Sequence, residues 1–214
     1  MAQSSPDSQF SADDLAGLMR LLRWRRDVRH FLSDPIPPDA IAHLQEAMAL
    51  APSVGNARPW RVVQVESPAL RHSAREIFRD CNARAATLYQ GRRRQEYDTL
   101  KLEGMEIGPL QLAIFCLEDP QAGHGLGRQT MPETLRQSAA MAIFALWLAA
   151  RAQNLGLGMV SILDPQRIED LLQMPPDWRF TAWLCIGKPA FTDDLPLLHR
   201  AGWQENTDQD WQKR

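Results

Sequence analysis

The spacing of apolar and polar positions divides the chain into alternating helices and strands. Apolar residues recur at helical spacing in 15–24 and 39–51, and Ser11 can cap the first of these helices. The segment 61-RVVQVE-66 alternates and is β-branched, which predicts a strand. Continuous apolar runs predict further, buried strands at 110–118, 158–163 and 180–187.

Three more helices are predicted, over about 68–88, 133–154 and 165–173. The second contains 139-AAMAIFALWLAA-150, whose 12 residues fall short of the roughly 20 needed to cross a bilayer. A helix that is apolar all round is typical of a protein core, so we expect it to be the buried central helix. Mixed helices and short buried strands favour an α+β layered fold, with one domain over 11–214 after a disordered N-terminus at 1–10.

Composition and charge exclude several classes of function. The chain is 44% hydrophobic and 23% charged, the balance of a globular protein, and no signal-peptide core is present. A net charge of -2 gives no basic field for nucleic acid, so any anion must be recognised by a local cluster. No role at a membrane is expected. The three cysteines lie far apart and do not have the spacing of a metal site or of a disulfide framework, which favours a reducing, cytoplasmic compartment.

No metal site is expected either, because the histidines are scattered singly along the chain. We interpret them as surface or structural residues: His43, His72, His124 and His199.

A cluster of charge follows the first predicted helix, where 23-RWRRDVRHF-31 places four arginines and one aspartate within seven residues. Arg25 and Arg29 would share a helical face if the helix continues, and two guanidinium groups there could fork onto one phosphate. Asp27 would lie on a different face, so we do not expect it to neutralise them. The alternative is a solvated, salt-bridged helix end.

Two loops rich in small residues could approach a ligand closely. In 51-APSVGNARPW-60, Ser53 and Gly55 leave room for backbone N–H groups to donate to a planar heterocycle, although a plain helix-to-strand connection has the same composition. In 154-NLGLGMVSI-162 the glycines do not form a dinucleotide-binding fingerprint, and Gly156 is explained as a helix C-cap. Ser161, expected inside a buried strand, needs a hydrogen-bond partner. The charged segment 90–104 is expected to form a lid.

Together and in order, these motifs resemble the nitroreductase-like flavoproteins. The matching stretches are RRDVR (25–29), APSVG with Pro-Trp (51–60), LKLEG (100–104), GRxTxP (127–132), LWLAARA (146–152) and GxGxVSI (156–162), within a match over about 20–188. RRDVR combined with LKLEG and VSI is similar to the branch of the superfamily that breaks down its own flavin.

The resemblance implies a nitroreductase-like fold with a central mixed or antiparallel sheet, in an intertwined homodimer that binds FMN at the subunit interface. It also implies that reduced FMN, supplied by a flavin reductase, is converted with O2 into 5,6-dimethylbenzimidazole and erythrose 4-phosphate for cobalamin biosynthesis.

The resemblance further assigns roles to individual residues. Asp27 is implied as an acid/base that acts on the ribityl chain, and Ser161 as a serine that supports the oxygen chemistry. The residues implied to bind the flavin, besides these two, are Arg25, Arg26, Val28, Arg29, Ser53, Val54, Gly55, Arg58, Leu100, Leu102 and Glu103. The last three belong to the lid that shields the flavin during its reaction with oxygen.

The sequence departs from that branch at several positions. Arg58 stands where glutamine is usual, Asn56 is more typical of ordinary nitroreductases, and Leu135 and Gln137 replace an aspartate and a tyrosine. Two alternatives therefore stay open: an FMN-retaining NAD(P)H oxidoreductase and a non-catalytic flavin-binding protein. Asp27 discriminates, because neither alternative has an evident use for a carboxylate among the arginines.

Overall fold

The computed structural model describes residues 8–207 and 210–213. The disorder expected over 1–10 falls mainly on 1–7, which lie outside the described residues, while 8–10 are exposed. The helices and strands in chain order are α1 (Ala12–Trp24), α2 (Pro38–Ala49), a 3-10 turn (Val54–Asn56), β1 (Trp60–Gln64), α3 (Pro68–Ala86), α4 (Gly91–Asp98), β2 (Leu110–Leu117), α5 (Thr134–Ala152), β3 (Gly156–Val160), α6 (Pro165–Leu172), β4 (Trp178–Gly187) and α7 (Leu197–Arg200).

The four strands form one sheet in the order β1-β2-β4-β3, and each neighbouring pair is antiparallel. Helices cover both faces of the two central strands, so these strands need apolar side chains in every direction. This burial explains why β2 and β4 appear in the sequence as continuous apolar runs rather than as alternating patterns. The predicted α+β class and the antiparallel sheet are confirmed.

The core lies in two layers, one on each side of the sheet. Phe115 and Trp183 pack with α3 and α6 on one face. Ile114 and Leu184 pack with α2 and α5 on the other. Alternating residues of each central strand thus serve opposite layers, as the pleat requires.

Helices α1 and α5 leave an apolar surface uncovered. The start of α1 is fixed by a capping box between Ser11 and Asp14, yet the helix has no buried residue. On α5, Met141 and Phe144 are 42% and 41% exposed, so the prediction that this helix is buried all round is wrong for one face. No helix among the described residues is long and apolar enough to span a membrane.

Candidate active site

The arginine-rich segment 25–29 is extended and lies beside β3. Helix α1 ends at Trp24, Arg25 has φ -75° and ψ 109°, and the Val28 N–H donates to the Leu157 carbonyl at 3.0 Å. The helical continuation that would have placed Arg25 and Arg29 on one face is therefore absent. Alternate residues of an extended chain share a side instead, which places Asp27 on the same side as both arginines.

Two glycines of β3 let this segment approach. A Cβ at Gly158 would collide with the Val28 carbonyl oxygen, and a Cβ at Gly156 would lie 2.8 Å from Val28 Cγ2. The predicted C-cap at Gly156 is wrong, because Gly156 begins β3 and the left-handed residue after α5 is Asn154, with φ 60°. The Gly-Leu-Gly sequence is thus explained by close packing of the arginine-rich segment.

Both carboxylate oxygens of Asp27 accept hydrogen bonds. Oδ1 accepts from the Met159 N–H at 2.9 Å, and Oδ2 accepts from Arg29 Nε at 2.8 Å and from a second nitrogen of the same guanidinium. The expectation that Asp27 does not neutralise the arginines is therefore wrong for Arg29. The remaining Arg29 nitrogen donates to the Lys101 carbonyl at 3.4 Å, at the base of the lid.

The other two arginines of the segment differ in whether their N–H groups are free to bind a ligand. Arg25 lies over the rings of Trp147 at 4.8 Å and Phe144 at 5.7 Å, and its buried Nε has no hydrogen-bond partner in the described part of the chain. Arg26 donates to backbone carbonyls, including that of Asp194 at 3.1 Å. Burial lowers the pKa of Arg26, and Arg25 adds to the effect. The Arg25 side chain is thus available to bind an anion, whereas the Arg26 side chain is hydrogen-bonded to backbone carbonyls.

Ser161 follows the end of β3 at Val160 and is exposed, which differs from the predicted position inside a buried strand. Its hydroxyl has no hydrogen-bond partner among residues 8–207 and 210–213. It lies two residues beyond Met159, whose amide binds Asp27. The two residues implied as catalytic therefore lie near the same end of β3.

The Ser-Val-Gly loop is shaped by its own packing. The Ser53 hydroxyl accepts from the Arg58 N–H at 3.0 Å, and Arg58 itself is exposed with φ 45°. Gly55 has φ 55°, and a Cβ there would lie 3.0 Å from the Gly123 carbonyl oxygen. Asn56, with φ 54°, is a residue that adopts this left-handed conformation more readily than most. The small residues therefore serve a loop-to-loop contact.

Ser138 positions this loop, and sequence reasoning missed it. Its buried hydroxyl accepts from the Val54 N–H at 3.0 Å and donates to the Thr134 carbonyl at 2.7 Å. The available signal was a polar residue inside an apolar helix. Leu135 packs beside Val54 in a small core cluster, which accounts for its apolar character.

The predicted lid consists of α4 and the coil after it. Leu100, Leu102 and Glu103 are half-buried in this coil, and Glu103 pairs with Lys101 at 2.9 Å. The Glu103 carboxylate also accepts from the Met105 N–H.

The predicted lid contacts the rest of the chain at two points. At its end, the buried Gln111 side chain donates to the Met105 carbonyl at 2.8 Å. Around the start of α4, Trp203 from the C-terminal segment packs on Tyr89, just before the helix, at 5.2 Å between ring centroids, and Arg93 of α4 lies over the Trp203 ring at 4.6 Å. The lid is thus joined to the core and to the C-terminal segment.

The arginine-rich segment and the Ser-Val-Gly loop lie at opposite edges of the sheet. The first adjoins β3, and the second precedes β1. Along α5 their contact residues, Trp147 and Ser138, are separated by about 13 Å of helix axis. The residues that the resemblance implies for flavin binding therefore fall into two separated groups, which we call half-sites.

Two of the three cysteines are buried, and the described residues contain no cluster of metal ligands. Burial raises the pKa of the Cys185 and Cys116 thiols, which disfavours the reactive thiolate at both positions. Within the described ranges, no group of three or more His, Cys, Asp or Glu side chains could hold a metal ion.

The fold and these half-sites define a flavoprotein-like class, and the chain belongs to the nitroreductase family, whose sequence model matches residues 22–188. It is 61% identical to the 5,6-dimethylbenzimidazole synthase of Rhodobacter capsulatus, over 92% of this chain and 95% of the relative. It is 52% identical to the protein of the same name from Rhodospirillum rubrum, over 88% and 89%.

A solved structure has the same fold. Iodotyrosine deiodinase bound to FMN and 3-iodo-L-tyrosine matches with a TM-score of 0.71 at 21% identity, over 92% of this chain and 97% of that chain. The nitroreductase-like fold expected from the sequence is confirmed.

Proposed function

We propose that this chain is a 5,6-dimethylbenzimidazole synthase, which uses O2 to break reduced FMN into 5,6-dimethylbenzimidazole, erythrose 4-phosphate and a fragment that carries the pyrimidine ring. The first of these products is the lower ligand of cobalamin. Two relatives with that name, at 61% and 52% identity, support the assignment. The observation that carries it is Asp27, a carboxylate held in a fixed orientation within an arginine-rich segment, with its side chain 30% exposed.

The residues present fit FMN. Arg25 has an unpartnered, buried Nε, and its guanidinium lies over the Trp147 ring and donates to no other described residue, so its N–H groups are free for a phosphate. The Ser-Val-Gly loop would border the flavin ring, and Leu100, Leu102 and Glu103 would cover it. Reduced FMN, when bound, supplies both the electrons that reduce O2 and the atoms of the benzimidazole.

The chain's own residues would orient, shield and transfer protons. Asp27 would move a proton at the ribityl chain, a contribution of about 100-fold or more for a well-placed acid/base. Ser161 would place its free hydroxyl beside the reacting flavin. The lid would exclude water and so protect reactive species from hydrolysis.

A homodimer would unite the two half-sites. The arginine-rich segment of one chain and the Ser-Val-Gly loop of a second would then border the same flavin. The exposed apolar residues of α1 and α5, among them Leu18, Met141 and Phe144, support an interface there because a water-soluble monomer rarely exposes such a stripe.

A flavin reductase would supply reduced FMN, because the reaction consumes the flavin and each turnover needs a new reduced molecule. A reducing cytoplasm suits both that supply and the free thiols of Cys81, Cys116 and Cys185.

The test supplies the purified protein with chemically reduced FMN in aerated buffer and separates the products by chromatography. We expect 5,6-dimethylbenzimidazole from the wild type and a loss of about 100-fold or more in Asp27→Asn, with FMN still bound. No product, together with NADPH oxidation on a nitroaromatic acceptor, would identify an FMN-retaining oxidoreductase. Flavin bound and returned unchanged in both assays would identify a flavin-binding protein.

A further inference from the structure

Each nitrogen of the Arg29 guanidinium has an acceptor within the protein. Two of its nitrogens hold one oxygen of Asp27, and the third reaches the Lys101 carbonyl. Its side chain is 15% exposed, half the value for Asp27. A guanidinium forked onto a carboxylate in this way has little left to offer a phosphate.

Arg25 and Arg29 therefore differ in their chemistry although both belong to the same motif. The Arg25 guanidinium lies over two aromatic rings and donates to no other described residue, so its donors are free. Arg29 is held through its donors. Of these two residues on one side of the extended segment, Arg25 can offer all its donors to an anion, whereas Arg29 can offer only the N–H groups that its three bonds leave over.

The Asp27 carboxylate is fixed by two independent elements. The Met159 N–H belongs to β3, whereas Arg29 also contacts the lid at Lys101. Removing the Arg29 contacts would leave one backbone donor, around which the carboxylate can rotate. Arg29 thus joins the orientation of Asp27 to the position of the lid.

We infer that Arg29 is a positioning residue for Asp27 rather than a ligand of the flavin phosphate. The inference rests on the proposed function for the role of Asp27. Its claim about the phosphate is independent of catalysis and can be tested without turnover.

The binding arm compares FMN with riboflavin, which lacks the phosphate, by titrating each into the full-length protein and following flavin fluorescence. We expect Arg25→Met to reduce the preference for FMN over riboflavin by about tenfold or more, the value of a charge-assisted bond. Arg29→Met should leave that preference within about twofold. An equal loss of preference in both variants would overturn the assignment.

The catalytic arm measures product from reduced FMN and O2. Arg29→Met should lower product formation, and the double variant Asp27→Asn/Arg29→Met should be no slower than Asp27→Asn alone, because residues that act as a unit are not additive. Arg29→Lys keeps the charge but loses the fork, so it should fall between wild type and Arg29→Met. Independent, multiplicative losses in the double variant would contradict a positioning role.

Two controls keep the arms separate. If the Arg29→Met variant melts at a much lower temperature than the wild type, the Arg29→Lys variant replaces it in both the binding and the catalytic measurements. If the wild type forms no product, the proposed function fails, while the FMN-to-riboflavin preference still decides which arginine binds the phosphate.

Discussion

Gly158 determines whether the arginine-rich segment can lie on β3. A Cβ at this position would occupy the space of the Val28 carbonyl oxygen, and the backbone there cannot move without breaking the Val28–Leu157 hydrogen bond. We expect Gly158→Ala to lower stability by about 1–3 kcal/mol, the usual cost of overpacking. FMN affinity should fall as well, which thermal melting and fluorescence titration would measure.

Gly17 supplies the matched control. It lies in the middle of α1, and a Cβ there would meet nothing within 4 Å. Gly17→Ala should raise stability by about 0.5–1 kcal/mol, because alanine is the better helix former. If the two alanine variants melt alike and bind FMN alike, the close approach at Gly158 is not what orders the segment.

At the scale of residues, the sequence located the arginine-rich segment but did not predict what its side chains contact. The spacing of Arg25 and Arg29 suggested a shared helical face, but the segment pairs with β3 and is extended. The helix propensity of its residues is too weak to outweigh this tertiary contact. The same change of conformation pairs Asp27 with Arg29. The role of Asp27 itself could come only from resemblance, because no spacing distinguishes a reactive carboxylate from a salt bridge.

At the scale of elements, the periodicity of apolar residues located the predicted helices and strands, because most of these elements bury either one apolar face or both faces. The end of β3 was predicted three residues too late, at 163 instead of Val160, because the apolar run continues through Ile162 and Leu163 after strand pairing stops. Those two residues pack in the core outside the sheet. A run of apolar residues indicates that a segment is buried, but a buried segment need not be a strand.

The contact between α4 and the C-terminal segment leads to a prediction about the lid. Trp203 packs on Tyr89 and under Arg93, whose guanidinium also donates to the Trp203 carbonyl at 3.2 Å. We expect Trp203→Ala to increase the rate of tryptic cleavage in α4 by about fivefold to tenfold, since these ring contacts contribute roughly 1 kcal/mol. Quantitative mass spectrometry of the fragments would measure the rate.

Trp211 is the control for that experiment, because its side chain is 94% exposed. Trp211→Ala should leave cleavage in α4 unchanged. Equal acceleration in both variants would mean that the C-terminal segment does not hold the lid through Trp203.

At the scale of the whole molecule, the uncovered face of α1 and α5 predicts the oligomeric state. Introducing a charge into an apolar interface is costly, so Leu18→Asp combined with Met141→Asp should dissociate the proposed dimer to the chain mass of 24.3 kDa. Analytical ultracentrifugation would measure the mass. Flavin affinity should fall in parallel, because each site would lose the half contributed by the second chain.

Leu88 offers a matched substitution away from that face. It is 80% exposed just beyond the end of α3, and Leu88→Asp should leave both mass and flavin affinity unchanged. A wild-type mass of one chain would contradict the shared site, as would full flavin affinity in the dissociated variant. The sequence could not predict which face stays uncovered, because the apolar pattern of α5 is the same towards the core and towards a partner.

The bond between Asp27 and Met159 has a consequence for measurement in solution. The Met159 N–H donates to the side chain of Asp27, on the edge of β3 where the Leu157 carbonyl accepts from Val28. Its exchange with deuterated water therefore requires the carboxylate to leave, whereas the ladder amides of β4 require the sheet to open. The exchange rate of this single amide reports how often the carboxylate departs from its place, in the free protein and without any turnover.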